Sequence, residues 1–151
     1  MKHIGFKSCI VLLFAALTTI SCKKEDQRAI DQELIEAFIL EQDLDAQSTE
    51  SGLHYVVFEP GSSDHPTLND EVTMSYVGFL LDGKIFDFSG VDDITHPLSG
   101  FIQGWQEGIP LFGKGGKGLL IIPSHLAYGN TVKSGIPPNS VLVFEIHLKS
   151  F

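Results

Sequence analysis

Residues Ile102 to Phe112 hold the one helix candidate in a stretch, Leu53 to Phe151, that otherwise reads as β, and that helix cannot grow. Gly104, Gly108 and Pro110 interrupt it, and such residues inside a helical pattern shorten it. Trp105, the only tryptophan in the chain, sits between the two glycines. Around it the texture has a two-residue period. Leu53 to Phe58 is rich in Val and aromatics and stops at Pro60-Gly61. Val72 to Leu81 alternates, placing Val72, Met74, Tyr76 and Gly78 on one face. Asp82-Gly83 then supplies a two-residue hairpin signal before Lys84 to Phe88. Ser89 to Gly100 reads as irregular and polar. Lys117 to Ile122 reads as a buried strand, Pro123 to Ser140 as a loop and Val141 to Leu148 as the last strand. Hairpin-linked strands with one short helix predict an α+β fold, a single antiparallel sheet folded over that helix.

A second helix is predicted at the N-terminal end. From Asp26 to Leu44, apolar Ile30, Leu34, Phe38 and Leu44 recur with Ile35 and Ile39 beside them, between Asp31, Glu33, Glu36 and Glu41. That spacing makes one apolar stripe. A stripe of this kind packs on its own domain, forms a homodimer contact through residues 26–44, or runs along a spacer. Asp45 to Gly52 is polar and reads as a linker.

Several chemistries find no support. The net charge is -9, from 10 basic and 19 acidic residues, and no Lys/Arg cluster of nucleic-acid size appears, so nucleic acid is not an expected partner. Gly113-Lys114-Gly115-Gly116-Lys117-Gly118 matches G-x-G-x-x-G, but a helix precedes it and a strand follows. A dinucleotide site needs the reverse order, so that a helix N-terminus faces the pyrophosphate. The glycines suit a tight turn instead. His54, His65, His96, His125 and His147 lack zinc spacing and read as scattered surface or edge residues. No G-x-S-x-G motif occurs, and the body beyond Cys22 contains no cysteine to act as a nucleophile. No metal and no cofactor are expected. Asp87 stands apart from the other carboxylates because Phe86 and Phe88 flank it; a carboxylate held among aromatics must be hydrogen-bonded or act on something.

Residues 1–22 are of another kind. Lys2 and Lys7 form a basic start, Ile10 to Leu17 is an unbroken apolar run, and Ser21 leads into Cys22. The run is short for a membrane span and has the length of a secretory h-region. Ser21-Cys22 resembles a bacterial lipoprotein cleavage site, with Cys22 the acylated first residue and Thr19 a departure from the usual aliphatic residue. Several acyl chains suffice for stable anchoring. The organisation expected is a signal peptide over 1–21, an anchor, helical segment and linker over 22–50, and a globular domain over 51–151. The expected location is the cell envelope, lipid-anchored in the bilayer at the outer membrane.

From Ser51 to Phe151 the ordered motifs resemble the FK506-binding-protein (FKBP) type of peptidyl-prolyl cis/trans isomerase. They are Ser75-Tyr76-Val77-Gly78, Asp82-Gly83-Lys84-Ile85-Phe86-Asp87, Phe101-Ile102-Gln103-Gly104-Trp105, Gly108, Gly116-Lys117, Ile121-Ile122-Pro123, Leu126-Ala127-Tyr128-Gly129, Ile136-Pro137-Pro138 and Leu142-Val143-Phe144-Glu145. The resemblance implies a half-barrel of antiparallel strands wrapped on the Trp-bearing helix. It implies Trp105 as pocket floor and Tyr76, Phe86 and Phe144 as walls. The Ile102 N–H and Tyr128 hydroxyl would bind substrate carbonyls, and Asp87 would be the polar edge. Phe101, Ile136 and Ile94 would be further substrate contacts, with Ile94 standing where the family has an aromatic. Proline-containing polypeptides are the implied clients and the family's macrolides the implied inhibitors. Departures are a short segment between Asp87 and Phe101, Phe101 in place of a smaller Val, Phe88 in place of Ser, and Lys133 near a variable tip. The alternative to an isomerase of envelope proteins is a weakly catalytic proline-binding chaperone or holdase. Metabolic acyl labelling will mark the wild type and leave Cys22→Ser unlabelled; equal labelling of both would contradict the anchor.

Overall fold

The computed structural model describes residues 26–151; Cys22 and the leader reading of 1–21 lie outside the described residues. Helix α1 spans Gln27–Glu41. The Asp26 carboxylate caps it by accepting from Arg28 N, satisfying one of the free first-turn donors. At the other end Asp43 takes a left-handed conformation, φ 51°. Asp43 N then donates to Leu40 O and Leu44 N to Ile39 O, a Schellman closure with aspartate where glycine is common.

The strands are β1 (Gln47–Ser48), β2 (His54–Glu59), β3 (Glu71–Leu80), β4 (Ile85–Phe88), β5 (Ile94–Pro97), β6 (Lys117–Ile122) and β7 (Leu142–Ser150), and helix α2 is Gln103–Gly108. They form one sheet in the order β1-β2-β6-β7-β3-β4, with β5 also paired to β3, and every pairing is antiparallel. β4 lies against Val77–Phe79 and β5 against Glu71–Met74, so the two share one edge of β3 end to end.

Three segments differ from their sequence reading. Ser89–Gly100, which reads as irregular, contains β5 and a 3-10 turn at Leu98–Gly100; its exposed Thr95 and His96 carry no alternation, and the ladder to β3 holds it extended. Residues 45–52, which read as linker, contain β1 paired to β2. The helix candidate 102–112 is α-helical only over Gln103–Gly108, continuing as a 3-10 turn at Ile109–Leu111 that carries Pro110.

The sheet is buried on both faces at its centre, which accounts for the unbroken apolar run in β6. Leu120 and Ile122 join Trp105, Ile109, Phe112, Leu142, Phe144 and Ile146 in the larger core. Leu119 and Ile121 point the other way and pack with Val56, Val143 and Ile35 of α1. The α1 stripe therefore packs on its own domain. It is centred on Ile35, fully buried, with Phe38 and Ile39 beside it, while Leu34 and Leu40 are exposed.

Glycine lets α2 approach the sheet. A Cβ at Gly104 would collide with the Ile122 side chain, and one at Gly108 would stand 2.7 Å from both Leu120 δ-carbons. Four residues apart, the two glycines form one flat face laid on β6. Gly108→Ala will therefore lose stability by about 1–2 kcal/mol, overpacking against buried Leu120 outweighing alanine's better helix propensity. Denaturant unfolding checks this, and a stabilised variant would contradict it.

Candidate active site

Between α2 and the concave side of β3, β4 and β7 lies a cavity of about 290 Å³ lined by Tyr76, Phe86, Asp87, Gly100, Phe101, Ile102, Trp105, Tyr128 and Phe144. Its floor is the Trp105 ring, 3% exposed. Tyr76 and Phe144 meet that ring edge to face, with centroids 4.9 and 5.0 Å away and planes at 82° and 81°. Phe101 leans on it at 4.7 Å and 46°, and Phe86 meets Phe144 at 5.5 Å and 90°. Edge-to-face contacts of this kind lock ring orientations beyond what area burial does. The indole Nε1 is buried without a protein acceptor, so face contacts place the ring.

Gly78 makes room for the walls. A Cβ there would stand 2.7 Å from Phe144 Cε1 and 2.8 Å from Phe86 Cζ. The β3–β7 register puts Gly78 opposite Phe144 and Tyr76 opposite Ile146. One face of β3 thus carries a wall residue and the gap beside it.

The polar groups of the cavity divide into spent and unspent. Tyr76 Oη donates to Asp87 Oδ2 at 2.7 Å, and Asp87 Oδ1 accepts from Phe88 N at 2.9 Å. Asp87 is exposed and hydrogen-bonded, at the rim. Burial first, then the bond and charge of Asp87, push the Tyr76 phenol far above the ordinary tyrosine value. Tyr128 is shifted the same way, by burial and then by the Asp87 charge, so it keeps its proton through neutral and mildly alkaline pH. Among the described residues no acceptor meets the Tyr128 hydroxyl and none meets the N–H of Ile102, the cap of α2 in extended conformation. Two hydrogen-bond donors therefore remain open at the cavity.

Of the residues expected from sequence, Tyr76, Phe86, Asp87, Phe101, Ile102, Trp105, Tyr128 and Phe144 line this one cavity. Ile94 and Ile136 do not. Ile94 is the ladder partner of Met74 and packs half-buried on the core; Ile136 is itself a core residue, 6% exposed. Phe88 points outward, 63% exposed. Lys133 holds its ammonium 5.3 Å from the Tyr128 ring centroid. Gly100 joins the lining without a chemical signal in its sequence. His125, which reads as a surface residue, is half-buried with its Nε2 3.0 Å from Ser51 O.

Residues 62–149 match the family model described as FKBP-type peptidyl-prolyl cis-trans isomerase. The chain belongs to that family. It is 42% identical over 125 residues to the FKBP-type peptidyl-prolyl cis-trans isomerase FkpA of Escherichia coli K12, covering 82% of this chain and 46% of that protein. The crystal structure of E. coli FkpA superposes with a TM-score of 0.74 at 41% identity, over 83% of this chain and 59% of that one. The crystal structure of a peptidyl-prolyl cis-trans isomerase from Pseudomonas syringae pv. tomato gives 0.69 at 30% identity, over 81% and 93%. The chain thus spans about half the length of the FkpA sequence it matches.

Because Trp105 is the only tryptophan, its emission reports the cavity directly. Gly78→Ala will push the Phe144 and Phe86 rings and shift that emission, at a stability cost of about 1–3 kcal/mol. Unchanged emission in a folded variant would contradict the packing described.

Proposed function

We propose that the chain accelerates cis/trans isomerisation of X-Pro peptide bonds in polypeptides. What carries the reading is the Trp105-floored cavity at which, among the described residues, the Ile102 N–H and the Tyr128 hydroxyl are donors open to a ligand. Rotation about the amide meets a barrier of ~18–20 kcal/mol from C–N double-bond character, and the spontaneous exchange takes tens to hundreds of seconds. Twisting removes conjugation, returns charge to nitrogen and leaves a less polar carbonyl. Water favours the planar, polarised form, so an aromatic cavity that excludes water favours the twisted one. Such a difference between ground and transition state is what catalysis requires. The proline ring lies on Trp105, and the two open donors hold carbonyls of the flanking backbone at angles compatible with the twist. Lowering the barrier by about 5–6 kcal/mol gives roughly 10⁴-fold acceleration. Tyr76 holds Asp87 at the rim, where its charge shapes the cavity without moving a proton.

Extended to the whole protein, the reading makes residues 1–21 a signal peptide and Cys22 an acylated anchor, placing the isomerase domain at the envelope for clients that wait on proline. Macrolides of the family would occupy the same cavity. Exposed Leu34 and Leu40 on α1 would be where a second copy of the chain meets it.

In a protease-coupled proline-peptide assay, the wild type will exceed the spontaneous rate. Tyr128→Phe will lower kcat/KM by about tenfold, the loss of one hydrogen bond made to substrate, and Trp105→Leu by more. Wild-type activity will stay level between about pH 6 and 9, because the Tyr128 phenol titrates above its ordinary value of about 10. Equal inertness of all three proteins would mean a binder that holds proline segments without turning them over. A steep fall near a carboxylate titration would contradict the role given to Asp87.

A further inference from the structure

A buried carboxylate outside the cavity is bonded to the turn that precedes Tyr128. Asp31 of α1 is fully buried, and among the described residues no lysine or arginine is paired with it. Its Oδ2 accepts from Ser124 N at 2.8 Å and from Ser124 Oγ at 2.6 Å, and its Oδ1 accepts from Gln27 Nε2 at 2.8 Å. Burying a carboxylate is costly unless donors replace its water, and here three do. Ser124 opens the 3-10 turn Ser124–Leu126. Its carbonyl accepts from Ala127 N at 3.0 Å and from Gly129 N at 2.8 Å, the residues on either side of Tyr128. One serine is therefore held by Asp31 through its N–H and hydroxyl, and holds both neighbours of Tyr128 through its oxygen.

A second set of bonds ties the same helix to the same end of the domain. Gln32 Nε2 donates to Gly52 O, His125 Nε2 lies 3.0 Å from Ser51 O, and Ser51 Oγ donates to Glu107 Oε1 on the Trp-bearing α2.

We propose that Asp31 is a positioning residue for the isomerisation site. It acts through Ser124 to hold the Tyr128 hydroxyl over the cavity, so that α1, which precedes the family-matched stretch 62–149, belongs to the catalytic unit. The proposal rests on the reading of Tyr128 as a substrate donor. Removing the Asp31 carboxylate leaves two buried Ser124 donors without a partner. The turn is then free to shift, and small displacements of a substrate-holding group cost rate. An amide at position 31 is different. Its carbonyl oxygen can take both Ser124 bonds, and its NH2 can face the Gln27 side-chain oxygen once that amide is turned.

The test is a double-mutant cycle on the full-length chain, assayed well below each variant's melting temperature. Asp31→Ala will lower kcat/KM for a proline peptide by about tenfold in the wild-type background, and by less than about twofold in the Tyr128→Phe background. Asp31→Asn will stay within about twofold of wild type, since both Ser124 bonds survive. A general loosening of the fold would lower the rate equally in both backgrounds; that outcome, or full activity of a folded Asp31→Ala, overturns the proposal. Should Asp31→Ala fail to fold, Ser124→Ala decides instead, with a loss of about threefold expected and confined to the protein that has Tyr128; full activity, or an equal loss in both backgrounds, overturns it. A fully active Tyr128→Phe would remove the underlying reading of the site and this inference with it.

Discussion

The seating of α2 on β6 is the contact from which the rest of the site follows. Gly104 and Gly108 lie against Ile122 and Leu120 with no room for a Cβ, bringing a short helix close enough to press Trp105 among Tyr76, Phe101 and Phe144. A longer side chain at either glycine would lift the helix and with it the floor of the cavity. The helix itself is too short to persist alone. It is held by the sheet, and the sheet at this point is held from both sides, with Ile35 of α1 packed behind the strands that carry Leu120 and Phe144.

That double covering explains how an apolar cavity can stay open. Its floor and walls are rings that fix one another edge to face. Gly78 sits opposite Phe144 in the ladder and spares the space into which the Phe144 and Phe86 rings fit. Polar groups are few, and their roles are separated by their partners. Tyr76 and Asp87 satisfy each other at the rim, while the Ile102 N–H and Tyr128 hydroxyl remain available. An enclosure of this composition suits a bond rotation whose transition state is less polar than its ground state.

Much of this was legible in the residues and some was not, for physical reasons. Lys117–Ile122 reads as a strand because six residues bounded by Gly and Pro carry an apolar run, and the structure gives those bounds. The hairpin at Asp82-Gly83 is equally plain, with Gly83 at φ 82°. The lining aromatics are found because ring-bearing residues in ordered motifs carry a strong signal. Strand β5 is hidden because Thr95 and His96 are exposed and only the ladder to β3 keeps them extended. The stripe of α1 is displaced from its apparent axis because a charged residue, Asp31, occupies the buried face; periodicity assigns acids to solvent. Ile94 and Ile136 sit near the cavity in sequence order but turn into the core, a choice that depends on register and loop packing.

In the proposed mechanism the amide turns because its surroundings are dry and aromatic, with no proton in flight. The solvent isotope effect on kcat/KM for a proline peptide tests it most directly. Closely similar rates in H2O and D2O are expected, for the wild type and for Asp87→Asn alike. A rate several-fold lower in D2O, abolished by Asp87→Asn, would mean that a proton moves in the limiting step and that the cavity works by acid–base chemistry instead.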